Sequence, residues 1–349
     1  MPEESQGPAV RWTEWWYPLF VGLLVFGVGS VPYWYGYHTA PPGQVFMGFI
    51  GRGTPGANGY FSYAKQVREG YHLVDTKMTP EPTRRDYFNL EWWTFGQIAR
   101  FSGLSLIAVF HLTRAMIVVF YAAMVYWLTG LCVHSVFARR LALLLICLGS
   151  GLGWLLWLAN HAGAQFELPR DIRGVSIFGY LVNKPHFILG AAFSTLTQIY
   201  QLLAYRRGQM RYFVYSGLAA ALHSLVRPYG IPETHALWVV YPALLCLRDR
   251  EYSLARFKGA AIAIATHSPV FAYFIYYALR GSLGTPDWSR IPGHLFENFL
   301  WMGLPMIAFF LALPHYLRVK NAPDGNILLT AWLVIAWAHC GAYPYTRGG

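Results

Sequence analysis

Between residues 69 and 91 the chain gathers five of its sixteen carboxylates, Glu69, Asp75, Glu81, Asp86 and Glu91. A carboxylate can take the proton from an attacking hydroxyl, so this stretch supplies the candidates for general-base chemistry. Glu81 stands first, because Pro80 and Pro82 restrict its backbone; a solvated loop acid is its plainer reading. Asp86 stands second. Glu91, five residues on, does not share a helix face well with it, and beside Trp92 and Trp93 it reads as a residue of an interfacial aromatic belt. Arg84 and Arg85 can pair with either acid.

Groups suited to an anion lie elsewhere. Arg114 sits inside the apolar run VFHLTRAMIVVF, where an arginine costs roughly 2.5–3.5 kcal/mol on insertion scales. His111, three residues earlier, shares its helix face, so the two can hold a phosphate, Arg114 by a bidentate contact. Snorkelling to the interface, or pairing with a buried carbonyl, would answer the same cost. NKPHF offers Asn183, Lys184 and His186, with His186 able to bond phosphate or sugar hydroxyls or to stand as an interfacial residue. Arg227, in LVRPYGIPE, marks a break between apolar runs, the kind of backbone that lines a cavity or forms an ordinary outer turn. His161, His186, His223 and His235 lack metal-site spacing, so no metal and no cofactor is expected, with a divalent ion bridging a diphosphate left open.

These groups need elements to hold them. The chain is 55% hydrophobic and only 12% charged, against about 25% charged in soluble domains. That composition predicts an all-α integral membrane protein forming one polytopic domain over residues 1–349. Its net charge of +11 is scattered between apolar spans, which suits lipid phosphates and topology rather than nucleic acid. The four cysteines fall in or beside apolar stretches and form no ligand motif.

Runs approaching about 20 apolar residues predict nine transmembrane helices, at 17–36, 105–130, 141–160, 186–204, 212–226, 234–247, 257–279, 296–317 and 327–343. LGSGLGWLL, within the third, reads as close helix packing through small residues rather than a nucleotide loop. Arginine and lysine crowd the short connections at 139–140, 206–211, 248–258 and 318–320, which places the N-terminus in the cytoplasm. Residues 37–104 then form a long outer-face first loop, and long loops are commonly functional. Within it GTPGANGYFSYAKQVREG turns into an amphipathic helix carrying Asn58, Tyr60, Lys65 and Gln66, whose Tyr60, with Tyr63, Trp92 and Trp93, can stack on a sugar.

One span, a long acidic outer loop and a run of closely connected spans resemble the GT-C class of membrane glycosyltransferases. The likeness is narrower to a bacterial subgroup through GFIGRGTPGANGYFSYAKQ, MTPEP, VFHLTR, LGSGLGWLL, NKPHF and VRPYG in that order. It implies a polyprenyl-phosphate sugar donor in a multi-pass cell membrane protein, transfer to an outer-face acceptor, and a loop carboxylate as base, here Glu81 or Asp86. Asn58, Tyr60, His111, Arg114, Asn183, His186 and Arg227 are then the substrate-binding candidates. Where the subgroup carries an acidic pair this chain has Pro55 and Gly56, so a catalytically inactive, lipid-phosphate-binding scaffold of the same fold is the alternative. The class also carries further helices after the position where this sequence stops, which makes a truncated chain an expectation.

Overall fold

The computed structural model describes residues 10–50, 56–78, 83–149, 153–164, 180–181, 184–280, 311 and 322–342. Among them the chain is helical, with one isolated antiparallel bridge between Val74 and Tyr87 and no strand. The helices are α1 (Trp16–His38), α2 (Gly56–Arg68), α3 (Leu90–Ser102), α4 (Leu106–Cys132), α5 (Val136–Leu148), α6 (Gly153–His161), α7 (Pro185–Arg207), α8 (Met210–Val226), α9 (Ile231–Asp249), α10 (Ala255–Leu279) and α11 (Asp324–Ala342).

Four helices, Trp12–His38 with its leading 3-10 turn, Leu106–Cys132, Pro185–Arg207 and Ala255–Leu279, are long and apolar enough to cross a membrane. This is an α-helical architecture suited to a bilayer. In α1, Val21 and Val25 are fully buried while Leu19, Phe20, Leu23, Val28 and Val31 stand exposed, an apolar outer face that lipid would cover. The expected span 141–160 is not one helix. α5 ends at Leu148, Gly149 leaves the helix in an extended conformation, and α6 starts afresh at Gly153. Glycine costs about 1 kcal/mol in a helix interior, so the glycine run weakens the helix where a packing face was expected. The stretch 296–317, apart from Leu311, lies outside the described residues.

At the centre, α7 packs against α4, α8 and α11. Its interior polar groups are tied across helices. Ser216 Oγ donates to the Thr197 carbonyl at 3.0 Å, Trp238 Nε1 donates to Ser216 Oγ at 3.1 Å, and Gln201 Nε2 donates to the Leu237 carbonyl at 3.3 Å. Gly217 lets α8 approach α10 closely, since a Cβ there would lie 2.7 Å from the Ala263 carbonyl oxygen.

Neighbouring helix ends gather into two layers. At one end Arg139 meets Glu14, Arg206 donates to the Leu131 carbonyl, and Arg248 binds Asp324. At the other, segments 69–78 and 83–89 with α2 and α3 lie over the start of α7, the break between α8 and α9, and the end of α10. Two groups fasten them there: Asn89 Nδ2 donates to the Val226 carbonyl at 2.9 Å, and Tyr273 Oη donates to the Asp86 carbonyl at 3.0 Å.

Candidate functional site

The loop end holds an open cleft of about 550 Å³, within the range of small-molecule sites. Its making starts in α2. Buried Gln66 brackets the backbone of Asp75, donating through Nε2 to the Asp75 carbonyl at 2.9 Å and accepting from the Asp75 amide at 3.1 Å. Val74 and Tyr87 exchange backbone hydrogen bonds of 2.9 and 3.2 Å, which draws the neighbouring Asp75 and Asp86 to one cleft. Both carboxylates line the cleft, with Tyr63, Tyr87, Arg84 and, from the end of α10, Tyr277 and Arg280. Tyr273 holds the floor, accepting from the Phe88 amide at 2.8 Å while it donates to Asp86.

Asp75 is 8% exposed. Its Oδ2 accepts from Lys77 Nζ at 2.9 Å, whereas Oδ1 is buried without a hydrogen bond, 3.9 Å from Arg85 Nε. Arg85 therefore pairs with Asp75, not with Asp86 or Glu91. Burial raises the phenols of Tyr63 and Tyr87, which keeps them neutral hydrogen-bonding groups at the cleft wall.

Beneath the loop, Glu91 corrects the interfacial reading. Its side chain is wholly buried, both carboxylate oxygens lack a hydrogen bond, and Oε2 lies 4.0 Å from His186 Nδ1. The cause is helical register: Glu91 lies four residues before Phe95 and eight before Ala99, all on the buried stripe of α3. Asn89 caps this helix, accepting from the Glu91 and Trp92 amides. Burial pushes the Glu91 carboxyl well above its ordinary 4.5, which favours its neutral form. Tyr60 packs against Trp92, their rings parallel within 2° and 5.0 Å apart, and meets His186 edge-on at 4.8 Å. One face of Tyr60 is thus occupied within the protein, and burial raises its phenol to about 12.

Lys184 and Arg227 flank the Phe187 ring, at 5.5 and 4.3 Å. Neither forms an ion pair with a described residue, and Arg227 Nε is buried without a hydrogen bond. Gly190 gives Arg227 its place, since a Cβ there would meet the arginine side chain at 3.3 Å.

His111 and Arg114 form a separate bracing unit. Fully buried Arg114 donates through Nε to the Leu181 carbonyl at 2.7 Å and through NH2 to the Gly29 carbonyl at 3.1 Å. Its NH1 lies 2.9 Å from His111 Nδ1, and His111 Nε2 lies 3.0 Å from the Gly48 carbonyl. That geometry fits a neutral histidine with the proton on Nε2, donating to Gly48 and accepting from Arg114. Tyr33 lies 4.4 Å below the guanidinium. The cost of an apolar-span arginine is met by carbonyls and rings of α1, α4 and residue 181.

Glu81, Asn183 and the side chain of Asn58 lie outside the described residues. Among the described residues, no three His, Cys, Asp or Glu side chains come together as a metal site.

Sequence reasoning singled out Asp86, Tyr60, His186 and Arg227 but left Asp75 among the loop acids and put Glu91 at the interface. A signal for Glu91 existed in its spacing from Phe95 and Ala99. For Asp75 there was none, because its partner is eleven residues away across an irregular loop. No protein-family model, no characterised protein and no solved structure matches the chain.

Proposed function

We propose that this protein is a membrane glycosyltransferase of GT-C-like architecture, N-terminus cytoplasmic and the cleft on the outer face, transferring a sugar from a polyprenyl-phosphate donor. The observation that carries the reading is that Asp75 and Asp86 line one open cleft, two carboxylates brought together by folding where the sequence lacks an acidic pair at Pro55 and Gly56.

Asp86 is the base, with Asp75 beside it holding the acceptor. As the acceptor oxygen attacks the anomeric carbon, its proton passes to the Asp86 carboxylate. The bond from that carbon to the phosphate oxygen breaks, and polyprenyl phosphate leaves with the electron pair. Lys184 and Arg227, at the same end and without carboxylate partners, bind the departing phosphate. His186 orients the donor next to them, and the His111 and Arg114 unit holds α1 and α4 in place beneath.

The test is transfer of radiolabelled sugar from a polyprenyl-phosphate mixture by the full chain in nanodiscs. Asp86→Asn should lower turnover about 100-fold or more while donor still binds, and Arg227→Ala should weaken donor binding. Glu81→Gln, run in parallel, should leave turnover largely intact. Donor binding without turnover in the wild type would instead establish the inactive scaffold, a reading favoured by the hold that Lys77 and Arg85 already have on Asp75.

A further inference from the structure

We infer that the cleft binds an acidic sugar, a pyranose-type ring bearing a carboxylate or phosphate. Asp75 is the buried acid of the cleft wall, with Oδ1 free of hydrogen bonds and 3.9 Å from Arg85 Nε. A ligand hydroxyl at this end can donate to the carboxylate without adding charge. Tyr63, Tyr87 and Tyr277 set aromatic surface along the wall, which suits the C–H face of a sugar ring as well as its hydroxyls.

The mouth decides the charge. Arg84 and Arg280 line the cleft and form no ion pair with a described carboxylate. Arg280 rests its guanidinium 4.3 Å over the Tyr276 ring, leaving its polar edge for an anion. With Lys77 and Arg85 already on Asp75, four basic side chains stand against the two carboxylates of the cleft. A cationic ligand would satisfy Asp75 and Asp86 but would meet Arg84 and Arg280 at the entrance. A neutral sugar would use the floor and leave the mouth unused. An anionic sugar uses both, hydroxyl to Asp75 and anion to the arginines.

The inference rests on the transfer reading only in naming this ligand the acceptor; binding is measured without donor or turnover. The full chain in nanodiscs is titrated with glucuronate, glucose 6-phosphate and glucose, with binding followed by saturation-transfer NMR. Both anionic sugars, or one of them, should bind at least tenfold more tightly than glucose. Preference for glucuronate identifies a carboxylate ligand, and preference for glucose 6-phosphate a phosphate ligand. Arg280→Ala, an exposed change that leaves the helix intact, should reduce that preference to near parity, and Asp75→Asn should weaken all three sugars. Equal affinity for glucose and the anionic sugars, binding of none of them, or an Arg280→Ala protein with unchanged preference would overturn the inference. Retained anionic-sugar binding in a protein without turnover would count against the transferase and leave the cleft's ligand standing.

Discussion

The two ends of the helix bundle differ in how fully charge is paired, with Arg140 Nε unbonded at the N-terminal end and Lys77 and Arg85 holding Asp75 at the loop end. At the N-terminal end, basic side chains meet acids. Arg139 pairs with Glu14 at 3.3 Å, Arg248 bridges Asp249 and Asp324, and Arg256 reaches Asp249 and Glu251 at 2.6 and 3.0 Å. The arginines there draw Asp249 below its ordinary range, first through the Arg248 hydrogen bond. At the loop end, Glu91, Asp75 Oδ1 and Arg227 Nε are buried without hydrogen bonds, and Lys184 and Arg227 have no described acid. A buried polar group without a partner costs about 1–3 kcal/mol, so a matched end is built for stability and an unmatched one for something that arrives.

The comparison breaks most sharply at Glu14. Arg139→Ala leaves that carboxylate buried with only Tyr126 and a backbone amide, and should destabilise the folded protein by about 3 kcal/mol. Thermal unfolding in detergent would show it, and an unchanged transition would mean the paired end is no anchor. The largest effect at the loop end is expected on turnover rather than stability: Asp86→Asn should lose activity with its melting transition nearly unmoved, which circular dichroism beside the transfer assay can separate.

Glu91 gives a smaller effect with a defined sign. Its carboxyl is raised in the folded state, so the fold binds a proton that the unfolded chain releases. Stability is therefore greatest below the ordinary 4.5 and falls as pH rises from there toward the folded value. Glu91→Gln should melt higher than the wild type at pH 8, with the gap closing toward pH 4. A gap that widened on acidification would show Glu91 to be ionised and paired. The smallest effect belongs to Lys65 and Glu69, whose 4.0 Å pair is exposed on both sides. Lys65→Ala should change stability by less than about 0.5 kcal/mol.

Much of this architecture was legible locally. Apolar runs, the break at VRPYG and the amphipathic α2 are written in neighbouring residues, because hydropathy, proline and helical period act over a few positions. The break appears as a 3-10 turn at Pro228–Gly230. Position 149 was misjudged for the same local reason: apolar neighbours suggested a continuous span, while the glycine ended it. Asp86 was found because it is an acid in an acidic loop. Its relation to Asp75 was not, since it depends on one bridge and on Gln66, held in register by α2.

The sequence by itself determined that this chain is helical, apolar enough for a bilayer, and acidic in its first long loop, since composition and periodicity need no knowledge of what packs where. Only the tertiary structure decided which acids line one cleft, which one is wholly buried, and which arginines are already satisfied. Arg114 and Arg227 look alike in sequence, each a lone cation beside apolar residues. Carbonyls 85 and 67 residues away saturate the first, whereas the second meets an aromatic ring and no acid. Charge satisfaction depends on contacts distant in sequence, and only the folded chain makes them.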